Sequence, residues 1–322
     1  MHEPTYSHAL LKSWRFVWHN KITWIFGLVA LLVGQFGLNH FIGQLLLLGT
    51  NTSAPINPFS WPESWPVWQI TTVEQGFLFS WLVVIMLAVA VLVLVVAVLG
   101  QGALIAAAAD YFKNETSPRL ARAWHKSVRR FWPLLALNGM QKIVSGALWV
   151  VTFYLLSNFR AETVGGFLAT VLVISVAGLG MLAVSAVTIY AAGYIVEYNF
   201  PLLAGIAEGL RLLEEHLLVS LELSLLLVLC NVGLLGAVYM GALLVLVPSW
   251  FIWVAAGFTG SFGLFTLGLI VGLFLFGLLI GVVGAIFNAF TTSTWMYFFM
   301  RMHHQGVGSR IIHFVERAVR LN

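Results

Sequence analysis

The chain has 322 residues, of which 60% are hydrophobic and 9% are charged, with a formal net charge of +4 and a mean hydropathy of +0.95. A soluble domain carries about 25% charged residues, so this composition excludes a soluble protein, which would lack a water-facing surface. No Asp, Glu, Lys or Arg occurs from Leu223 to Met300. The single cysteine, Cys230, excludes an intrachain disulfide and a thiolate metal cluster.

Charged residues and turn residues divide the chain into six predicted membrane spans, because about 20 apolar residues cross a bilayer core of roughly 30 Å. The predicted spans lie near 22–48, 77–109, 134–157, 164–195, 217–247 and 263–298. Outer connections are expected near 50–76, 157–163 and 248–262. The pattern predicts an all-α, polytopic transmembrane helical bundle that forms a single integral membrane domain over residues 1–322.

The distribution of cations predicts the orientation of this bundle. If both termini are cytoplasmic, every one of the 16 Lys and Arg residues except Arg160 falls on the inner side or in the inner half of a span. Such an asymmetry follows the positive-inside rule. We therefore expect a multi-pass protein of the cytoplasmic (inner) membrane of a prokaryote, with both termini in the cytoplasm.

Three outward-going spans are each preceded by an amphipathic segment at the inner surface. These segments and the starts of their spans cover 9–28, 120–137 and 202–221. The pattern suggests three weak repeats near 9–110, 119–197 and 202–301, each an inner-surface helix followed by an out-and-back hairpin. The physics of the membrane interface would produce the same likeness without any duplication, so both explanations remain open.

The second amphipathic segment carries a stripe of cations beside an apolar stripe that includes Trp124. We predict that these cations contact anionic lipid headgroups, at roughly 1 kcal/mol each. The cations are Arg119, Arg122, Lys126, Arg129 and Arg130. A nucleic-acid patch is the weaker interpretation, because the cations lie beside apolar stripes at a membrane face. Membrane lipids are thus the predicted partners, and the sequence specifies no protein partner.

Three sequence segments carry a resemblance to a known group of proteins. They are ALLKSWRFVWHNKITWIFGL, GALIAAAADYFKNETSPRLARAWHKSVRRFWPLLAL and YIVEYNFPLLAGIAEGLRLLEEHLL. The chain resembles a broad set of prokaryotic six-span membrane proteins, similar to the membrane domain of glycerophosphodiester phosphodiesterases. The phosphodiesterase catalytic domain has no counterpart in this sequence, and Gly193 stands where an arginine would be expected. The resemblance implies an architecture and no activity.

Lys142 and Glu222 are charged residues inside predicted spans, where an unpaired charge costs several kcal/mol. Opposite signs and similar depth predict that they approach each other in an inner-leaflet polar cluster. Its other predicted members are Gln101, Asn138 and Asn288. Two simpler explanations stay open, in which Lys142 extends its amine to the interface and Glu222 lies near water.

The sixth span is rich in glycines at a spacing of four, which permits close helix packing. The residues are Gly268, Gly272, Gly277 and Gly281, and their partner helix belongs to the same chain or to a second copy. No recognised metal or cofactor motif occurs, so neither is expected. The predicted function is that of a non-enzymatic structural or lipid-interacting component. The alternative is a small-solute or ion transporter that uses the inner-leaflet polar cluster.

The predicted topology can be tested with single cysteines placed at Ser53 and Ser309 in a Cys230→Ser background. In intact cells, a membrane-impermeant thiol reagent should label the cysteine at Ser53, because the 50–76 connection is expected outside. The cysteine at Ser309 should react only after the cells are opened. Labelling at Ser309 together with protection at Ser53 would reverse the orientation.

Overall fold

A computed structural model describes residues 6–31, 73–114, 118–158 and 164–305, and the described chain is almost entirely helical. The helices are α1 (Tyr6–His19), α2 (Ile22–Leu31), α3 (Val73–Asn114), α4 (Leu120–Arg129), α5 (Phe131–Asn158), α6 (Val164–Glu197), α7 (Leu202–Glu215), α8 (Leu217–Val245), α9 (Val247–Thr259) and α10 (Phe262–Gln305). The predicted all-α class is confirmed.

Five helical stretches are long and apolar enough to cross a membrane. They are Phe79–Asn114, Phe131–Leu156, Val164–Glu197, Leu217–Thr259 and Phe262–His303. Protein covers only 11% to 28% of the most apolar windows of these stretches. Hydrocarbon must cover the rest, because surfaces of this size are not stable in water. A multi-pass membrane protein is therefore confirmed. The first predicted span, 22–48, is described only as far as Leu31, so a sixth crossing stays a prediction.

The sequence interpretation was wrong about the connection expected at 248–262, which is mostly helical. Helix α9 follows α8 after a break at Leu246, and Pro248 lies in its first turn, where proline disturbs no helical hydrogen bond. Gly260, at φ 64°, then forms the turn into α10. The left-handed conformation explains the glycine at this position.

Two of the four glycines predicted to pack helices lie against α9 of the same chain. A Cβ added at Gly268 would lie 2.5 Å from Cδ1 of Trp253, and one at Gly272 would lie 2.7 Å from Oγ of Ser249. A Cβ at Gly281 would lie 3.6 Å from Leu28. Gly277 is the exception, because no described atom would lie within 4 Å of a Cβ added there. The packing expected at Gly277 therefore stays a prediction.

Three short helices, which we call the surface helices, surround one end of the bundle. They are α1, α4 and α7. They pack mainly on three long helices, which we call the returning helices: α4 on α3, α7 on α6, and α1 on α10. The first surface helix thus packs on the last returning helix. Three related units would give this cyclic arrangement, and the duplication itself stays a prediction. We call this part of the molecule the surface-helix end.

The surface helices each bury a pair of small residues that are four positions apart. The pairs are Ala9 and Ser13, Ala123 and Ser127, and Gly205 and Gly209. One turn separates the members of each pair, so both face the same neighbour. Ser127 Oγ donates a hydrogen bond of 2.7 Å to the carbonyl oxygen of Leu99. The protein core lies here, where the returning helices are buried at 101–110, 188–196 and 288–300.

The close contact between α7 and α6 can be tested with a matched pair of glycine variants. A Cβ at Gly209 would lie 2.9 Å from the backbone nitrogen of Ala191, whereas no described atom lies within 4 Å of the same position at Gly233. Gly209→Val should lower stability by about 1–3 kcal/mol through overpacking, measured as a lower Tm in detergent. Gly233→Val has the same intrinsic helix cost without the clash. Equal Tm values for the two variants would contradict the packing.

Candidate functional site

A cluster of charged residues joins three helices at the surface-helix end. Lys126 Nζ lies 3.1 Å from Oδ1 of Asp110 and 2.9 Å from Oε2 of Glu197. Lys113 Nζ lies 3.6 Å from Oε1 of Glu197. We call these four residues the ion cluster. It ties surface helix α4 to the C-terminal parts of returning helices α3 and α6.

The ion cluster forms because α4 packs on α3 and turns Lys126 toward two nearly buried acids. The side chains of Asp110 and Glu197 are 12% and 8% exposed, while that of Lys126 is 31% exposed. A buried carboxylate without a partner is costly, so Lys126 stabilises both acids at once. Each acid directly precedes a tyrosine, Tyr111 or Tyr198.

Electrostatics keep Lys126 protonated. Burial lowers its pKa, but hydrogen bonds and charges from Glu197 and Asp110 outweigh burial and raise the pKa above the usual 10.5. A raised lysine pKa means that the cluster contributes its full stability below about pH 10.5 and loses it as pH rises through the folded-state pKa. Burial, followed by the charge of Glu197, also raises the pKa of Tyr198.

A second polar contact anchors α4 to the turn between α6 and α7. Arg130 Nε donates a hydrogen bond of 3.1 Å to Oδ1 of Asn199. Asn199 has a φ of 61°, a left-handed conformation that asparagine tolerates better than most residues. The backbone nitrogen of Phe200 donates to the carbonyl oxygen of Tyr194 at 3.3 Å, which ends α6.

Two of the five cations predicted to bind lipid headgroups have protein partners, and the lipid contact itself stays a prediction. Both side chains are partly buried. Lys126 pairs with Asp110 and Glu197, and Arg130 donates a hydrogen bond to Asn199. The remaining three cations are exposed at α4: Arg119, Arg122 and Arg129.

The five residues of the predicted inner-leaflet polar cluster have several different partners. Asn138 Nδ2 donates to Oε1 of Gln101 at 2.7 Å, which joins α5 to α3 through two buried amides. Asn288 Nδ2 donates to the carbonyl oxygen of Gly27 at 2.9 Å, which joins α10 to α2. The structure therefore brings Gln101 and Asn138 together and uses Asn288 at another helix pair.

Glu222 makes a contact that the sequence did not predict, and its expected approach to Lys142 stays a prediction. The hydroxyl of Tyr6 on α1 donates a hydrogen bond to Oε2 of Glu222 on α8. Lys142 is exposed on α5, which packs mainly on α6, whereas α8 packs mainly on α10. Exposure of Lys142 fits the interpretation in which its amine extends toward the interface.

Sequence reasoning missed Asp110 and Glu197, although a signal was present. Both are acids at the end of a long apolar stretch, and each is followed by tyrosine. An acid that recurs at the same place in two spans indicates a shared structural role. It also missed the contact between Tyr190 and Ser220, whose hydroxyl oxygens are 2.8 Å apart in the buried core.

Among the residues that the structure describes, no group of three or more His, Cys, Asp or Glu side chains could hold a metal ion. Comparison of the chain with protein-family models, with curated proteins and with solved structures finds no match. The resemblance to the membrane domain of glycerophosphodiester phosphodiesterases stays a prediction.

The structural role of the ion cluster can be tested by replacing its lysine. Lys126→Met leaves two nearly buried carboxylates without their shared cation and should cost about 3 kcal/mol, the lower end for a broken buried pair because Lys126 is partly exposed. The measurement is the free energy of unfolding in detergent at pH 7. Adding Asp110→Asn and Glu197→Gln should recover part of the loss.

Arg211→Met is the matched control, because Arg211 pairs with Glu215 at 3.0 Å on the exposed surface of α7. An exposed pair of this kind contributes about 0.3–0.5 kcal/mol. Similar losses in the free energy of unfolding for Lys126→Met and Arg211→Met would show that the ion cluster stabilises the protein no more than an exposed ion pair does.

Proposed function

We propose that this protein is a non-enzymatic component of a prokaryotic cytoplasmic membrane that binds anionic lipid headgroups through its surface helices. Both termini would then lie in the cytoplasm. The observation that carries the proposal is the exposed face of α4, where Arg119, Arg122 and Arg129 point away from the core while Ala123 and Ser127 face it.

Exposed apolar side chains accompany these cations on the same helix. Trp124 is 40% exposed and Val128 is 47% exposed. The ring of Trp124 stacks on Phe26 of α2, with centroids 6.2 Å apart. Tryptophan favours the headgroup layer of a bilayer, so this ring supports a position of α4 at the interface. Cations and apolar groups on one interfacial helix are the combination that binds anionic lipid surfaces.

The cytoplasmic side is supported by the positive-inside rule, because the cations of α1 and α4 gather at the surface-helix end. Anionic lipids of that leaflet attract such cations at about 1 kcal/mol each. The ion cluster holds α4 on α3 and α6, so the three exposed arginines are presented from a fixed helix.

A second candidate function is transport of a small solute or an ion. Glu222 favours it, because a partly buried carboxylate inside a long apolar helix is a typical feature of ion pathways. Its hydrogen bond with Tyr6 supports a structural role equally well. Solute flux into proteoliposomes that disappears in Glu222→Gln would favour transport.

The lipid proposal predicts that Arg119→Gln/Arg122→Gln/Arg129→Gln weakens binding of phosphatidylglycerol to the full-length protein. Three cations at about 1 kcal/mol each correspond to a loss of about 150-fold at low salt. Native mass spectrometry of the protein in detergent, titrated with phosphatidylglycerol or phosphatidylcholine, would measure this loss. Raising the salt concentration should weaken wild-type binding in the same direction.

Arg211→Gln is the control, because its cation is already neutralised by Glu215 and its loss should leave lipid binding unchanged. The proposal would be refuted if wild-type protein bound phosphatidylglycerol and phosphatidylcholine equally. It would also be refuted if the triple variant bound phosphatidylglycerol as tightly as wild type.

A further inference from the structure

A groove of about 410 Å³ opens between α1 and the end of α3. Among the residues that the structure describes, its lining is formed by His8, Leu11, Lys12, Arg15 and Tyr111. Four of them come from α1 and one from α3. A volume of this size is within the range of sites that hold small molecules, about 300–1,000 Å³.

The polar side of the groove is basic. His8, Lys12 and Arg15 recur at positions i, i+4 and i+7, so they form one stripe along α1. The helix contains no Asp or Glu. A stripe with two permanent cations and a histidine complements an anionic group, and the guanidinium of Arg15 suits phosphate oxygens.

The groove is held in shape by the buried face of α1. Ala9 and Phe16, on that face, are 1% and 0% exposed. The ring of Phe16 packs against the ring of Tyr111, with centroids 4.8 Å apart. Tyr111 directly follows Asp110, which the ion cluster fixes through Lys126. The two walls of the groove are therefore joined through the core.

An exposed apolar stripe runs along α1 beside the basic stripe. Leu11, Trp14 and Trp18 recur at i, i+3 and i+7 and are 58%, 45% and 50% exposed. The two tryptophan rings stack with centroids 5.6 Å apart. An acyl chain can lie along this stripe while a phosphate lies in the groove. A soluble phosphate would use only the basic stripe, so the two stripes together favour a lipid.

We propose that this groove is a binding site for one anionic phospholipid, with the headgroup phosphate held by Lys12 and Arg15 and an acyl chain along Leu11, Trp14 and Trp18. This site rests on the proposed lipid-binding function and deepens it, since it assigns a single bound lipid to α1 in addition to the general attraction at α4. His8 and Tyr111 also line the groove.

The test is photocrosslinking of full-length protein in nanodiscs that contain phosphatidylcholine and a small fraction of phosphatidylglycerol. A photoreactive amino acid replaces Leu11, which lines the groove, or, as a matched position, Val128 on α4, which is 47% exposed. Mass spectrometry then identifies the attached lipid. We expect phosphatidylglycerol to be enriched at Leu11 well above its fraction in the nanodisc.

Lys12→Gln/Arg15→Gln should weaken this binding about thirtyfold, since two cations contribute about 1 kcal/mol each. The crosslink to phosphatidylglycerol at Leu11 should fall accordingly, while the crosslink at Val128 should be unchanged. The variant's Tm shows whether it is folded. If the variant does not fold, the wild-type protein provides the test. High salt screens the cations, so the proposal requires that it reduces phosphatidylglycerol capture at Leu11.

Free glycerol 3-phosphate in excess distinguishes a lipid from a soluble phosphate. The proposal expects it to leave the lipid crosslink in place, and loss of the crosslink would overturn the proposal in favour of a soluble ligand. Enrichment of phosphatidylglycerol at Val128 without enrichment at Leu11 would refute lipid binding in the groove but not the proposed lipid-binding function. Enrichment at neither position would refute the proposed lipid-binding function as well.

Discussion

Helices inside a membrane gain little by burying apolar surface against one another, because lipid tails are as apolar as leucine side chains. Close backbone approach must supply the packing energy instead, and small residues permit it. The carbonyl oxygen of Ala285 lies where a Cβ of Gly27 would be, so α2 and α10 could not pack in this way with any larger residue. Gly102 and Ser127 make a similar contact between α3 and α4. The packing of α2 on α10 and of surface helix α4 on returning helix α3 depends on these contacts.

At α4, this packing brings some opposite charges together and leaves other charges at the surface. The acids at the ends of α3 and α6 share Lys126, because packing of α4 delivers the lysine to both. The cations that packing leaves exposed, such as Arg122 and Arg129, face outward from the same helix. One short helix thus has a small buried face, a structural lysine and an exposed basic face.

The long apolar helices could be predicted from the sequence because their length and hydropathy are local properties. The structure has long apolar helices at five of the six predicted spans, and the first predicted span, 22–48, extends beyond the described residues. Helix α9 was missed because Pro248 was interpreted as part of a loop, whereas proline is compatible with a first helical turn.

The side-chain partners could not be predicted in the same way, because they depend on tertiary packing. Lys126 is separated from Glu197 by 71 positions, and Tyr6 from Glu222 by 216 positions. Depth in the membrane and sign of charge suggested Lys142 as the partner of Glu222. These properties leave the rotation of each helix undetermined, and rotation decides which residues meet. Gln101 and Asn138 were predicted to share a cluster and do meet, because α3 and α5 pack against each other.

The three surface helices pack on long helices through the same kind of small-residue pair, but they differ in charge. Helix α7 carries Glu208, Glu214 and Glu215, and its single cation, Arg211, is paired with Glu215. An anionic membrane surface would repel such a helix, so protein contacts must hold it. Gly205 and Gly209 provide these contacts, since a Cβ at either position would lie 2.9 Å from an atom of α6. Helices α1 and α4, by contrast, carry cations and no Asp or Glu. The same packing of small residues therefore supports one acidic helix and two basic helices.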